Sequence, residues 1–307
     1  MILNNLKNLY QNGSIGKPDY IKEMHLIHRH LFEYSEFINE TDIAKIEINS
    51  NQVIMTTRGM NIKLLCDRDD LRLIPIEILN FGAYEENELK MILKLIDENT
   101  NVFDVGANIG WISMNIAKHI KNAEIFAFEP IPKTFGYLNK NIELNGLSNI
   151  KTYNFGFSNE EKESEFFYYP EGSGNASLSN LSESSNVLKT VCSVKRLDDF
   201  AVNNNLSVDF IKCDVEGAEL FVFQGGLEVL KKDKPIVFTE MLRKWSAKFN
   251  YHPMEIVGLF KEIGYRCFTI NKENLVEFFE MDEKTIETNF VFLHSAKHVD
   301  IIDQYAI

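Results

Sequence analysis

The chain has 307 residues, 45% of them hydrophobic, and 45 Asp and Glu against 32 Lys and Arg give a net charge of −13. That length suits one large domain with an attachment or two of ordinary size, and the apolar content excludes global disorder. The acidic balance disfavours charge-driven binding to nucleic acid or an anionic membrane, and no apolar run reaches the ~20 residues of a membrane helix.

The first ten residues alternate Asn and Lys with Leu and lack an apolar signal core. Through residue 40 the pattern predicts helix: Ile21, Met24, His28, Leu31 and Phe32 recur at steps of three and four, with Asp19 as a candidate cap. His25, His28 and His30 cluster here, but their spacing fits no metal motif well, and a solvated helix face is the favoured explanation. Residues 43–48 and 52–57 alternate and carry β-branched side chains, which predicts a hairpin turning at 49–51. Residues 1–80 are thus expected to form a mixed N-terminal extension ahead of a domain over 81–307.

From Tyr84 strands alternate with helices. Helices are expected over 85–96, 111–120, 132–145, 218–231 and 253–263; strands over 101–105, 123–128, 150–155, 208–213, 235–241, 265–270 and 289–294. Repeated βα units imply a mostly parallel α/β sheet with helices on both faces and a ligand site at the strands' carboxyl ends. Residues 158–190 interrupt this alternation with Ser, Asn, Glu and Gly around Phe166-Phe-Tyr-Tyr169, and are expected to place a hairpin and a mobile segment over the active site. Asn175-Ala-Ser177 fits a glycosylation sequon that a cytosolic protein would not use. Cys66, Cys192, Cys213 and Cys267 form no CxxC pair and are expected to be reduced core residues of a cytoplasmic protein.

The strongest signal is Val102-Phe-Asp104-Val-Gly106-Ala107-Asn108-Ile-Gly110-Trp111, an apolar strand entering an acid, two glycines and a helix. Glycines let backbone turn tightly beside a ligand, and helix N–H groups favour its polar atoms. The third position of a GxGxxG fingerprint is missing, so a nicotinamide cofactor is the second choice. Glu129, 23 residues beyond Gly106 in Phe128-Glu129-Pro130, is placed to accept bonds from both hydroxyls of a ribose. No base lies in 102–111, which suits a cationic sulfonium better than a phosphate; the bland alternative is two strand-end acids capping helices.

Together with Gly82-Ala-Tyr84-Glu85, Asn141-Ile-Glu-Leu-Asn145, Leu197-Asp198-Asp199-Phe200, Asp209-Phe-Ile-Lys212-Cys-Asp214-Val-Glu216-Gly217-Ala-Glu219 and Glu240, these motifs resemble the FkbM-family S-adenosylmethionine-dependent methyltransferases over about 82–295. The resemblance implies a class I methyltransferase fold, doubly wound around a mostly parallel seven-stranded sheet. It implies that Asp104, Gly106, Ala107, Asn108 and Gly110 line the methionine and ribose of S-adenosylmethionine. Glu129 would take the ribose hydroxyls, Pro130, Phe157 and Ser158 would lie near the adenine, and Tyr84 and Glu85 would close over the methionyl end. Cys213 stands where similar chains carry an aliphatic residue, and the first ~40 residues fall outside the likeness.

Methyl transfer to a hydroxyl needs alignment, exclusion of water and a route for the proton. Asp214, Glu216 and Glu240 end neighbouring strands and are the candidate catalytic acids. Asp214 is placed first, beside the substrate and the methyl, with Glu216 and Glu240 as base or, with Asp214, ligands to a divalent metal if one is used. Glu219 is expected only to favour its helix dipole. Lys212, a candidate substrate-binding residue, would pair with these acids and hold them ionised, or else snorkel to the sheet's edge. Arg243, Lys244, Trp245 and Lys248 make a basic, aromatic patch for an anionic or sugar acceptor, and His252 is an alternative base; a solvated turn explains this patch equally well. FkbM-like enzymes are associated with O-methylation of sugars and of secondary-metabolite hydroxyls, so the expected acceptor is a hydroxyl of a sugar, glycan or glycosylated metabolite; the alternative is a non-sugar small molecule or a protein or nucleic-acid acceptor. The signature of amino-methylating nucleic-acid enzymes is absent, and a purely cofactor-binding module would need no acidic cluster. No nucleic-acid or membrane partner is expected, and the N-terminal helix is a candidate homo-oligomer contact.

Overall fold

The computed structural model describes residues 2–169, 172–181 and 187–307, with 173–175 as backbone alone. Helices α1 (Ile2–Gln11), α2 (Lys17–His28) and α3 (His30–Phe37) open the chain. Gly16 is the N-cap of α2 and Pro18 stands in its first turn, so Asp19 lies within that turn and does not cap it. None of the three helices has a buried residue, and the expected apolar stripe stays open, with Phe32 71% exposed. His30 bonds Glu33 at 2.9 Å, and no His belongs to a metal-ligand cluster among the described residues.

The predicted hairpin is present as antiparallel β1 (Ile43–Ile48) and β2 (Val53–Thr57), and β3 (Lys63–Leu65) widens it to three strands. Helix α4 (Ile74–Phe81) follows. The alternation-based reading leaves it unassigned, yet Pro75 in its first turn and Gly82 at φ 92 bound it as helix terminators should.

Helix α5 (Glu86–Leu95) leads to β4 (Asn101–Val105), α6 (Trp111–His119), β5 (Glu124–Phe128), α7 (Pro132–Asn145) and β6 (Ile150–Tyr153). Next come β7 (Gly156–Phe157), β8 (Lys162–Tyr169), β9 (Gly172–Ser177) and β10 (Leu188–Lys195). The chain continues through α8 (Leu197–Asn203), β11 (Phe210–Cys213), α9 (Glu219–Gly225), α10 (Leu227–Lys232), β12 (Ile236–Glu240), α11 (Arg243–Ser246) and α12 (Met254–Glu262). It ends with β13 (Tyr265–Asn271), β14 (Asn274–Glu277), β15 (Asn289–His294) and α13 (Val299–Tyr305).

The main sheet runs β14-β13-β15-β12-β11-β4-β5-β6, parallel from β12 to β6 and antiparallel at β15, β13 and β14. This is the class I methyltransferase order, with β14 as an eighth strand where seven were expected: Lys272 at φ 58 turns β13 back on itself. The strand order reverses between β4 and β11, and a cleft opens at the carboxyl ends of strands at such a point. Two apolar clusters cover the sheet. One joins α4–α6 and β3 to it, and the other is built on Phe103, Phe126, Phe128 and Phe260. All four cysteines are free, three of them buried. Among the described residues no helix is long and apolar enough to cross a membrane.

The described residues of 158–190 contribute strands to a small second sheet. β8 and β10 pair antiparallel from Lys162↔Val194 to Tyr168↔Leu188, with β9 on one edge and β7 on the other. Residues 170, 171 and 182–186, within the stretch where a mobile segment is expected, and the Asn175 side chain lie outside the described residues.

Candidate active site

At the switch point lies a cleft of about 870 Å³, counting its open mouth. Its floor is Val105–Asn108 from the β4 loop and Lys212, Asp214, Val215 and Glu216 from β11. Glu129, Pro130, Gly156 and Phe157 form one end; Tyr84, Glu85, Ile74, Trp111 and Ile112 form another wall. Phe166, Ala176 and Leu178 from the inserted sheet reach its lining.

The glycine loop is built differently from expectation. The N–H groups of Gly106 and Ala107 both donate to the Phe128 carbonyl, at 3.0 and 2.9 Å, so neither is free for a ligand. Gly106, at φ 78, is required by protein backbone: a Cβ there would stand 1.9 Å from the Asp214 carbonyl oxygen. Gly110, at φ 91, lies outside the cleft, and a Cβ would meet Leu138 at 2.6 Å; its role is packing of α6 on α7. Asn108 does line the cleft, and its N–H donates to Glu129 Oε2 at 3.0 Å. Glu129 Oε1 accepts from the Ile131 N–H at 2.9 Å. Burial pushes this carboxyl up to about 7 despite both donors.

Asp104 is fully buried beneath the floor and does not line the cleft. Its Oδ2 accepts from Ser113 Oγ at 2.6 Å, and its Oδ1 lies 3.6 Å from Lys212 Nζ. Lys212 also donates to the Gly106 carbonyl at 2.8 Å and stands 3.4 Å from Asp214. Burial alone would lower the ammonium's pKa; Asp214, Asp104 and Glu85 reverse that and hold it above the ordinary value. One buried cation therefore ties the two strand-end loops together, beneath rather than beyond the acids.

The expected acidic cluster is present. Asp214, Glu216 and Glu240 each bring a carboxylate oxygen within 4.8 Å of the others, although Glu240 stands behind the cleft lining. Burial, then Asp214 and further acids, raise Glu216 and Glu240 well above the ordinary carboxylate range. Glu85, at φ 47, is pushed up to about 7 by burial and Asp214.

Glu219 does more than favour a dipole. Only 2% exposed, its Oε1 accepts from the N–H groups of Val215 and Gly217 at 3.1 and 3.0 Å, locking the turn that carries Glu216. The sequence reading misses two partners of that turn: Tyr251 donates to the Gly217 carbonyl at 2.9 Å, and Ser177 in β9 donates to the Glu216 carbonyl at 2.8 Å. A signal for Glu219 existed, since a Glu two residues after a glycine turn can reach back to cap it. None existed for Tyr251 or Ser177, which arrive from distant segments.

The basic patch stays out of the lining. Arg243 reaches the Glu283 carbonyl at 3.2 Å, and the Lys244 ammonium sits 4.1 Å over Trp245. Trp245 backs Gly217, whose Cβ would meet it at 2.9 Å. His252 is exposed and its Nδ1 accepts from the Met254 N–H at 3.2 Å, so it belongs to the start of α12. Ser158 is buried outside the cleft, bonding Lys195 and Asn159, while Phe157 does line it.

These residues fit an adenosine bearing a positive sulfur. Glu129 retains lone pairs beyond the two it gives the backbone, and Asn108 Oδ1 and Trp111 Nε1 are buried at the cleft with no protein partner. The acids match a cation. Over residues 104–267, more than half the chain, the sequence matches the Methyltransferase FkbM domain. The chain belongs to that family. It is 31% identical over 147 residues to Methyltransferase 1 of Beauveria bassiana, a stretch covering 42% of this chain and 59% of that protein. It is 27% identical to the hexuronic acid methyltransferase AglP of Haloferax volcanii, over 48% of this chain and 58% of that one. It is also 27% identical to the 2-O-methyltransferase NoeI of Sinorhizobium fredii, over 49% and 67%. The FkbM match takes in the β4 loop, Glu129, the inserted sheet and both acid-bearing strand ends.

Proposed function

We propose that the chain is an S-adenosylmethionine-dependent O-methyltransferase whose acceptor is a hydroxyl of a sugar, glycan or glycosylated metabolite. The observation that carries this is one cleft with Glu129 at one end and Asp214 and Glu216 at another, with the Glu240 carboxylate close behind them. The methylation of a hexuronic acid by the AglP relative supports the sugar class.

When bound, S-adenosylmethionine would supply a methyl activated by positive sulfur. Glu129 would hold the ribose hydroxyls, and Phe157 and Pro130 would flank the adenine. The inserted sheet, tied down by Ser177 on Glu216, would exclude water from the methyl. Asp214 would contact the acceptor, and Glu216 or Glu240 would take the proton of the acceptor hydroxyl that receives the methyl. Burial and crowding by neighbouring acids make Glu216 and Glu240, once ionised, stronger bases than an ordinary carboxylate. Their mutual spacing also suits a divalent cation, which would make turnover chelator-sensitive. The proposed acceptor patch, Arg243 and Trp245, would act at the rim beyond the cleft.

The test pairs a thermal-shift titration with labelled transfer. S-adenosylmethionine and S-adenosylhomocysteine are expected to raise the melting temperature and NAD is not; the reverse would overturn the reading. Asp214→Ala is expected to keep cofactor affinity and lose turnover on a panel of nucleotide sugars and glycans. Full activity in that variant would remove Asp214 from the chemistry.

A further inference from the structure

The Trp111 ring forms part of the cleft wall, is 7% exposed, and its Nε1–H is buried with no partner in the protein. A buried donor left unpaired costs stability comparable to a lost hydrogen bond, so it persists where a ligand completes it. We infer that the Trp111 indole N–H donates to the carboxylate of the cofactor's amino-acid end, making Trp111 a positioning residue for the methionyl group. This rests on the cofactor reading above.

The chemistry of the wall selects that group. Glu129, Pro130 and Phe157 account for the ribose and adenine, and the reacting methyl must face Asp214 and Glu216. The remaining anionic group needs donors, but Glu85, Asp214 and Glu216 would all repel it. Lys212 is already committed to Asp104, Asp214 and the Gly106 carbonyl. Trp111 is the first residue of α6, so its ring is fixed beside the glycine loop by the same turn that sets Asn108. A neutral, rigid donor holds a carboxylate without adding a cation that would oppose the sulfonium.

The experiment compares S-adenosylhomocysteine with 5′-methylthioadenosine, which lacks the amino acid. Calorimetry on Trp111→Phe is expected to show on the order of tenfold weaker binding of the former and nearly unchanged binding of the latter. Equal weakening of both, or of neither, overturns the inference. A second readout needs no Trp111 variant. The chain has two tryptophans, and Trp245→Phe assigns their indole N–H resonances. In the wild type the Trp111 signal should shift strongly with S-adenosylhomocysteine and little with methylthioadenosine. A signal that either ligand moves equally, or that neither moves while both bind, overturns it. A wild type that binds neither molecule overturns the cofactor reading itself, and this inference with it.

Discussion

One side chain and one missing side chain decide whether the cleft exists. Gly106 stands where the β4 loop touches the backbone of Asp214, and Lys212 spans the same gap from below. Gly106→Ala would combine a left-handed backbone, costing roughly 1–2 kcal/mol, with a clash that displaces Asp214. Its urea midpoint and its affinity for S-adenosylhomocysteine should both fall, and calorimetry on the refolded variant checks the second. Glu240 makes the opposite kind of statement. Burial and neighbouring acids raise its folded pKa above the unfolded value of 4.5, so the unfolded chain loses this proton first. Wild-type stability from this group is therefore full at low pH and declines as pH rises above that value. Glu240→Gln carries no such proton. Its stability relative to wild type should grow from about pH 5 to about pH 8 in urea denaturation. A flat difference would mean the carboxyl is not raised.

Elements are fastened to one another by polar side chains that the motifs contain without explaining. Asn141 in α7 is fully buried; its Oδ1 accepts from the Leu65 N–H at 2.9 Å and its Nδ2 donates to the Ile109 carbonyl at 3.0 Å. It therefore holds β3 and the glycine loop to one helix. Asn141→Ala strands two buried backbone groups at about 1–3 kcal/mol each, so a loss of several kcal/mol in urea denaturation is expected. A loss below about 1 kcal/mol would mean water replaces the side chain. The same scale explains a helix that the sequence pattern joins and the fold divides. An apolar period runs over 218–231, yet the helix breaks into α9 and α10 at Gly225-Gly226. A Cβ at Gly225 would come within 2.1 Å of the Ser158 carbonyl, and Gly226 packs on Leu197. Asp198 caps the second piece, accepting from the Glu228 and Val229 N–H groups. Periodicity reports which face is apolar; it does not report how close a distant loop must come.

Across the molecule, stability is unevenly placed. The three opening helices have no buried residue, while the sheet and its two apolar layers hold the large fully buried aromatics. A chain lacking residues 1–37 should keep the wild-type urea midpoint and S-adenosylhomocysteine affinity within error. A large drop would show that these helices are covered in solution, as in a homo-oligomer.

Much of this architecture was legible because strands and helices alternate with strong periods, and because Asp104 through Gly110 and Asp214 through Glu219 punctuate them. The amino-acid order by itself determined the βα units, the parallel sheet, the acids at the strand ends and Glu129 one strand away. Strand and helix periods are local properties, and so is a glycine turn. Only the tertiary structure decided which of those residues face the cleft. It sank Asp104 beneath the floor, gave the loop N–H groups to Phe128 and Glu129, and turned His252 and Ser158 away. It also left the Trp111 N–H without a partner. Those outcomes depend on contacts between segments far apart in the chain, where a clash of an ångström or a single buried donor determines the arrangement, and no local pattern carries that information.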